Sequence, residues 1–180
     1  MHFIIYDIEA TCWDPRPANK AQETIEIGAY KLNRYGEIVD IFNKFVRPVV
    51  HPTLSIFCKH LTSITQVDVN RSPKFPEVIE AFQDWIDIWD EEYLLCSWGI
   101  FDKKILIQDC DLHNMDSEWV QPHLNLKKQY HDIKGLRKTR GLRYCVENEG
   151  FEFTGMQHRG ISDAENLAKV FSKYVDMWQY

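Results

Sequence analysis

Apolar and polar positions change period several times along this chain. Residues 3–8, FIIYDI, form a compact apolar run with β-branched members, which predicts a buried central strand. Residues 24–33 set Ile25, Ile27 and Ala29 against Glu26, Gly28 and Tyr30, a period-two pattern that predicts a second strand. Asn33-Arg34-Tyr35-Gly36 reads as a hairpin turn in which Gly36 is free to take a positive φ. Residues 37–46 return as a third strand, so the first three strands are expected to be antiparallel and sequential. Helical steps follow: Val78, Ile79, Phe82, Trp85, Ile86 and Trp89 recur three and four residues apart, with Pro76 in the first turn. Tyr93–Ser97 predicts a fourth strand, left through Gly99 into a helix around 101–112, and a faint strand signal lies at 123–126. A short helix over 142–149 ends at Gly150. The last helix is expected to start at Ser162, with Glu165 three residues on completing a capping box. Its buried face would carry Ala164, Leu167, Ala168, Phe171, Val175 and Trp178. Hairpin strands followed by strand–helix alternation predict an α/β fold with a mixed sheet. With no repeat, low-complexity tract or linker, residues 1–180 read as one domain.

The chain is 44% hydrophobic and 27% charged, which suits a packed core and excludes wholesale disorder. Its net charge of -6 argues against a histone-like nucleic-acid binder. It leaves room for an enzyme whose carboxylates meet phosphates through metal ions. Five cysteines with no C-x-x-C spacing argue against a disulfide framework or a zinc knuckle. No apolar run approaches the ~20 residues of a membrane span. Four apolar residues before Asp7 are too few for the apolar segment of a secretory signal, so a cytoplasmic location without membrane contact is expected. Charge is uneven. Lys127, Lys128, Lys134, Arg137, Lys138, Arg140 and Arg143 face a single Asp132 in one stretch, a pattern that composition alone assigns to a solvated face.

The candidate chemistry begins with Asp7-Ile8-Glu9. The same D-x-E spacing occurs at Asp90/Glu92, Asp116/Glu118 and Asp163/Glu165, so the tripeptide alone means nothing. The first copy differs by sitting where a buried strand ends. Residues two apart on a strand point the same way, and two carboxylates there repel unless a cation neutralises them. Asp102 stands where the fourth strand turns into its helix, and Asp163 in the first turn of the last helix, where the backbone dipole favours an anion. Taken singly, both acids read as structural and His158 as a surface histidine.

Together, YDIEAT around Asp7 and Glu9, SWGIFDKKIL around Asp102 and HRGISDAENLAKVF around His158 and Asp163 resemble the DEDD superfamily of 3′-to-5′ exonucleases. The spacing His158-x-x-x-x-Asp163 resembles its histidine-type (DEDDh) branch, since the tyrosine branch would need Tyr where Arg159 stands. SIFCKHLTSITQVDVNRSPKFPEVIEAFQDWI further resembles the Eri-type, KapD-like subgroup, and the likeness runs from about residue 3 to 175. The resemblance implies a ribonuclease-H-like mixed five-stranded sheet flanked by helices. It implies that Asp7, Glu9, Asp102 and Asp163 hold two Mg²⁺ or Mn²⁺ ions and that His158 is the general base. It places Ala10, Thr11, Phe57, Lys59 and Thr62 around the terminal nucleotide, with Trp98 and Phe101 at the pocket floor. The implied substrate is a single-stranded nucleic-acid 3′ end, RNA before DNA, and the stretch from Lys127 to Arg143 would carry its upstream phosphates. Two other readings stay open. One is a catalytically silent nucleic-acid- or protein-binding module on the same fold. The other is a haloacid-dehalogenase-like phosphatase, which needs Asp where Glu9 stands.

Overall fold

The computed structural model describes all of Met1–Tyr180. Strands β1 (His2–Ala10), β2 (Thr24–Leu32) and β3 (Ile38–Phe45) come first. Helices α1 (Ile56–Thr62), α2 (Gln66–Asn70) and α3 (Phe75–Ile86) precede β4 (Tyr93–Ser97) and α4 (Phe101–Leu112). A 3-10 turn at Glu118–Val120 leads to β5 (His123–Asn125), α5 (Leu126–Lys134), α6 (Leu142–Asn148) and α7 (Gly160–Lys173). The sheet runs β3-β2-β1-β4-β5. β1 and β3 pair antiparallel with β2, whereas β4 pairs parallel with β1 and with β5. The mixed five-stranded sheet flanked by helices is therefore present.

β1 is central because both its faces are apolar. Phe3 and Ile5 join Cys96, Leu167, Ala168 and Phe171 in the core on the α7 side. Ile4, Tyr6 and Ile8 join Leu95, Phe82 and Leu106 in the core on the α3–α4 side. Burying one aliphatic side chain contributes about 1.5–3 kcal/mol, so this short run anchors the sheet between two helical layers. The odd-numbered face continues past the apolar run as Asp7 and Glu9, which places both acids on the α7 side.

Three expectations need correction. α3 stops at Ile86, with Asp87 in a left-handed cap, so Trp89 lies outside the helix and is 85% exposed. α7 begins at Gly160 rather than Ser162, and the Ser162/Glu165 capping box does not form: Glu165 accepts a hydrogen bond from the Thr154 hydroxyl instead. β2 is buried on both faces, because α7 covers the side that carries Glu26 and Gly28. Helices α1, α2 and α5 were not anticipated.

Candidate active site

The end of β1 supplies two carboxylates and α4 reaches across to it. β4 pairs with β1 only as far as Ile5, so the Ile8 amide beyond it has no strand partner on that side. Asp102 fills the gap, its Oδ1 accepting from the Ile8 N–H at 3.0 Å. This bond ties Asp102 to the strand residue that separates Asp7 from Glu9.

Asp163 arrives by close backbone packing. A Cβ on Gly28 would lie 2.1 Å from the Ile161 nitrogen, so only glycine lets the first turn of α7 press against β2. Gly160 is similarly tight, its hypothetical Cβ 3.0 Å from the Asp7 carbonyl oxygen. A second fastener is Glu26, fully buried on β2, which accepts from Arg159 Nε at 3.1 Å, Arg159 Nη2 at 3.0 Å and the Gly160 N–H at 2.9 Å. Losing one partner of such a buried pair costs about 3–5 kcal/mol, so the junction between His158 and α7 is held firmly. The Asp163 carboxylate accepts from the Arg159 N–H at 3.2 Å, which satisfies an orphan amide of the helix start. Gly28→Ala is expected to destabilise the fold by about 3 kcal/mol, the upper part of the overpacking range, because the clash is with backbone. Chemical denaturation measures this, and a wild-type midpoint would show that α7 can give way.

Asp7, Glu9 and Asp163 each offer an oxygen within 4.8 Å of the others. Asp102 joins them in lining a cavity of about 310 Å³, together with Phe101, Gln157 and His158. None of the four acids forms an ion pair with Lys, Arg or His. Burial and the charges of Asp102, Glu9 and Asp163 hold Asp7 well above the usual carboxylate range. Burial, with the charges of Asp163 and Glu26, pushes Glu9 up to about 9. Asp102 and Asp163 are each pushed up to about 6 by burial, which their backbone hydrogen bonds only partly oppose. Four oxygen donors with unneutralised charge fit hard divalent cations such as Mg²⁺ or Mn²⁺. His158 has a left-handed backbone, φ +62°, and burial lowers its pKa, favouring the neutral ring.

The other predicted residues divide. Trp98 and Phe101 line the acid cavity. Phe57, Lys59 and Thr62 sit on α1, outside that lining. Thr62 is buried, its hydroxyl donating to the Cys58 carbonyl at 2.9 Å and accepting from the Ile64 N–H at 3.1 Å. Thr11 is occupied likewise, accepting from the Glu23 N–H at 2.9 Å, and the Ala10 carbonyl accepts from the Cys58 thiol at 3.7 Å. Sequence reasoning missed the Glu26–Arg159 pair. A glutamate inside the apolar strand TIEIGAY was the available signal, since a fully buried charge requires a partner.

A family model described as Exonuclease matches residues 4–171. The Homo sapiens 3′-5′ exoribonuclease 1 is 32% identical over 177 residues, covering 94% of this chain and 51% of that protein. This chain thus spans about half the length of the curated relatives it matches. The solved nuclease domain of 3′hExo, a DEDDh family member bound to rAMP, superposes with a TM-score of 0.91 at 30% identity, covering 97% of this chain and 92% of the other. A 3′-exonuclease solved in the context of 3′-end specific recognition of histone mRNA stem-loop superposes with a TM-score of 0.91 at 29% identity, covering 97% and 81%.

Proposed function

Because this chain belongs to the exonuclease family, in its DEDDh branch, we propose that it removes nucleoside 5′-monophosphates one at a time from single-stranded 3′ ends, RNA in preference to DNA. Membership of this branch implies dependence on divalent metal. The observation that carries the reading is the convergence of four carboxylates without ion-pair partners, three of them buried, and a histidine on one small cavity.

Asp7, Glu9, Asp102 and Asp163 would hold two ions, Mg²⁺ or Mn²⁺. Bound there, the ions supply positive charge to the entering and departing oxygens of an in-line displacement. His158 takes a proton from the attacking water, whose oxygen bonds to phosphorus as the bond to the 3′ oxygen breaks. The strand keeps a 3′-hydroxyl and the terminal nucleotide leaves as its 5′-monophosphate. A cavity of about 310 Å³ supports a single threaded terminus, because it is too small for a base pair. The names of the relatives support RNA. Acids from β1, α4 and α7 that meet at one sheet support reading residues 1–180 as one exonuclease domain, and five unpaired cysteines support a reducing, cytoplasmic setting.

The test is incubation with Mn²⁺ and 5′-labelled single-stranded RNA or DNA oligomers, with a chelator as control. A stepwise ladder is expected, faster on RNA and absent in chelator. Internal cuts, or full activity in chelator, would overturn the reading. Faster turnover of DNA would reverse the substrate preference alone.

A further inference from the structure

Cys12 and Cys58 are distant in the chain and adjacent in the fold. β1 ends at Ala10, shortly before Cys12, while Cys58 sits in the first turn of α1. One side chain spans the two. The Ser55 hydroxyl donates to the Cys12 carbonyl at 2.6 Å and accepts from the Cys58 N–H at 2.9 Å, so a single oxygen separates the two cysteine backbones. The Cys58 thiol points back at the strand end, donating to the Ala10 carbonyl at 3.7 Å. Cys12 packs on the apolar cluster to which Cys58 belongs, and the two thiols are within hydrogen-bond reach of each other.

The two sulfurs differ in access and in acidity. Cys58, Cys96, Cys110 and Cys145 are fully buried, whereas Cys12 is partly exposed, so an oxidant in solvent meets Cys12 first. Donation from the Cys12 thiol lowers Cys58 to about 7 against the cost of its burial, and the same contact holds Cys12 up. A reachable sulfur beside a ready nucleophile is the arrangement of a redox pair rather than of two inert core thiols.

We propose that Cys12 and Cys58 form a reversible disulfide that slows 3′-end removal when a hydroperoxide is present. The Cys12 sulfur attacks hydrogen peroxide; the O–O bond breaks, one oxygen stays as the sulfenic acid and the other leaves as water. The Cys58 sulfur then attacks the Cys12 sulfur; the S–S bond forms, the S–O bond breaks and a second water leaves with the remaining proton. The two thiols have then given two electrons to the peroxide, and a dithiol returns them by exchange. Closing a covalent S–S bond draws the sulfurs nearer than any contact between thiols. Cys58 is fixed, because it is packed among Ile25, Leu54, Ile64 and Val69. The end of β1 moves instead, and with it Glu9, three residues before Cys12. The loss of rate rests on the exonuclease reading, whereas the bond itself does not.

The experiment treats the full chain with hydrogen peroxide, removes the excess with catalase, and compares wild type with Cys12→Ser and Cys58→Ala. Non-reducing peptide mapping should find the peptide that carries Cys12 joined to the one that carries Cys58, in wild type alone. Removal of labelled RNA 3′ ends should fall by roughly tenfold or more in oxidised wild type, since a misplacement of about 1 Å at a catalytic group costs up to about 10²-fold. Dithiothreitol should restore it, and both variants should keep their rate through the treatment. If Cys58→Ala loosens the core, Cys12→Ser, at the partly exposed position, carries the comparison. Absence of the linked peptide, a linked peptide with an unchanged rate, or an equal loss in Cys12→Ser would overturn the proposal. If reduced wild type turns over no RNA, the exonuclease reading falls, and hydrogen exchange decides the switch separately. The Thr11 N–H donates to the Glu23 carbonyl at 2.8 Å. Faster exchange there in the oxidised protein supports the displacement, and equal exchange overturns it.

Discussion

Asp7→Asn is expected to lower the rate of 3′-end removal by roughly 10³-fold or more while leaving the fold intact. Asp7 is the acid on which the other charges converge, with Asp102, Glu9 and Asp163 all acting on it. Charge supplied by bound cations lowers a phosphoryl-transfer barrier by several kcal/mol, and each ~1.4 kcal/mol is a factor of ten in rate. Asparagine keeps the shape and one oxygen but loses the charge. In metal-free protein the same change should raise the melting temperature, because a repelling, desolvated charge has been removed. Mg²⁺ or Mn²⁺ should stabilise wild type and stabilise the variant less. A variant with wild-type turnover and a wild-type response to metal would remove Asp7 from the centre.

The pH dependence of metal-free stability follows from the same acids. Glu9 titrates at about 9 and Asp102 and Asp163 at about 6 in the fold, against roughly 4 for unfolded carboxylates. Between about pH 4 and 9 the folded chain therefore binds more protons than the unfolded one, so stability falls as pH rises through that window. Glu149 works in the opposite sense. Burial pushes it up, but hydrogen bonds from Lys173, Tyr130, Tyr174 and Lys134 hold it at about 2. Its contribution is intact above about pH 4.5 and fades only toward pH 2, so it does not mask the decline. Denaturation at pH 5, 7 and 9, with and without Mg²⁺, should show a downward trend that the metal flattens. A flat metal-free profile would mean that burial and mutual repulsion do not raise the pKa values of these acids.

What the sequence revealed about the fold depended on how local each signal is. β1 was legible because FIIY is apolar on both faces and ends abruptly in acids, and the body of α7 because its stripe repeats over three turns. The start of α7 was misplaced because Ser162 and Glu165 have capping-box spacing, whereas the actual first turn is set by the packing of Gly160 and Ile161 on Gly28 and Glu26 of a distant strand. α5 was read only as charge, since Leu126, Tyr130 and His131 are its sole buried residues. At the site, the acids stood out as motif positions. Their approach to one another depends on the Asp102–Ile8 bond and the Arg159–Glu26 pair, which join residues 94 and 133 apart in the chain. No local pattern encodes contacts of that span. Thr62 on α1 illustrates the same limit, because a side chain's availability to a ligand is decided by the partners it has already taken.

His158→Ala is expected to cost roughly 10²–10⁴-fold in rate, the usual worth of a general base. The side chain lines the acid cavity, and partial desolvation lowers its pKa, which favours the form that can accept a proton. Its position is imposed rather than relaxed. The left-handed backbone at φ +62° is one that non-glycine residues seldom adopt, and the adjoining Arg159 and Gly160 are locked onto Glu26. Asparagine tolerates that backbone region better than most residues, so His158→Asn provides a second variant that keeps the loop but has no basic nitrogen. Both variants should retain the rise in melting temperature with Mg²⁺, because histidine is not among the four carboxylates. A base must be unprotonated, so the wild-type rate should climb with pH through an acid limb centred below the ordinary imidazole value of about 6.5. That limb should be missing from both variants. Stopped assays on a 5′-labelled RNA between pH 5 and 8 measure it. Wild-type rates in His158→Asn would show that the proton leaves the water by another route, while the four acids would keep their role.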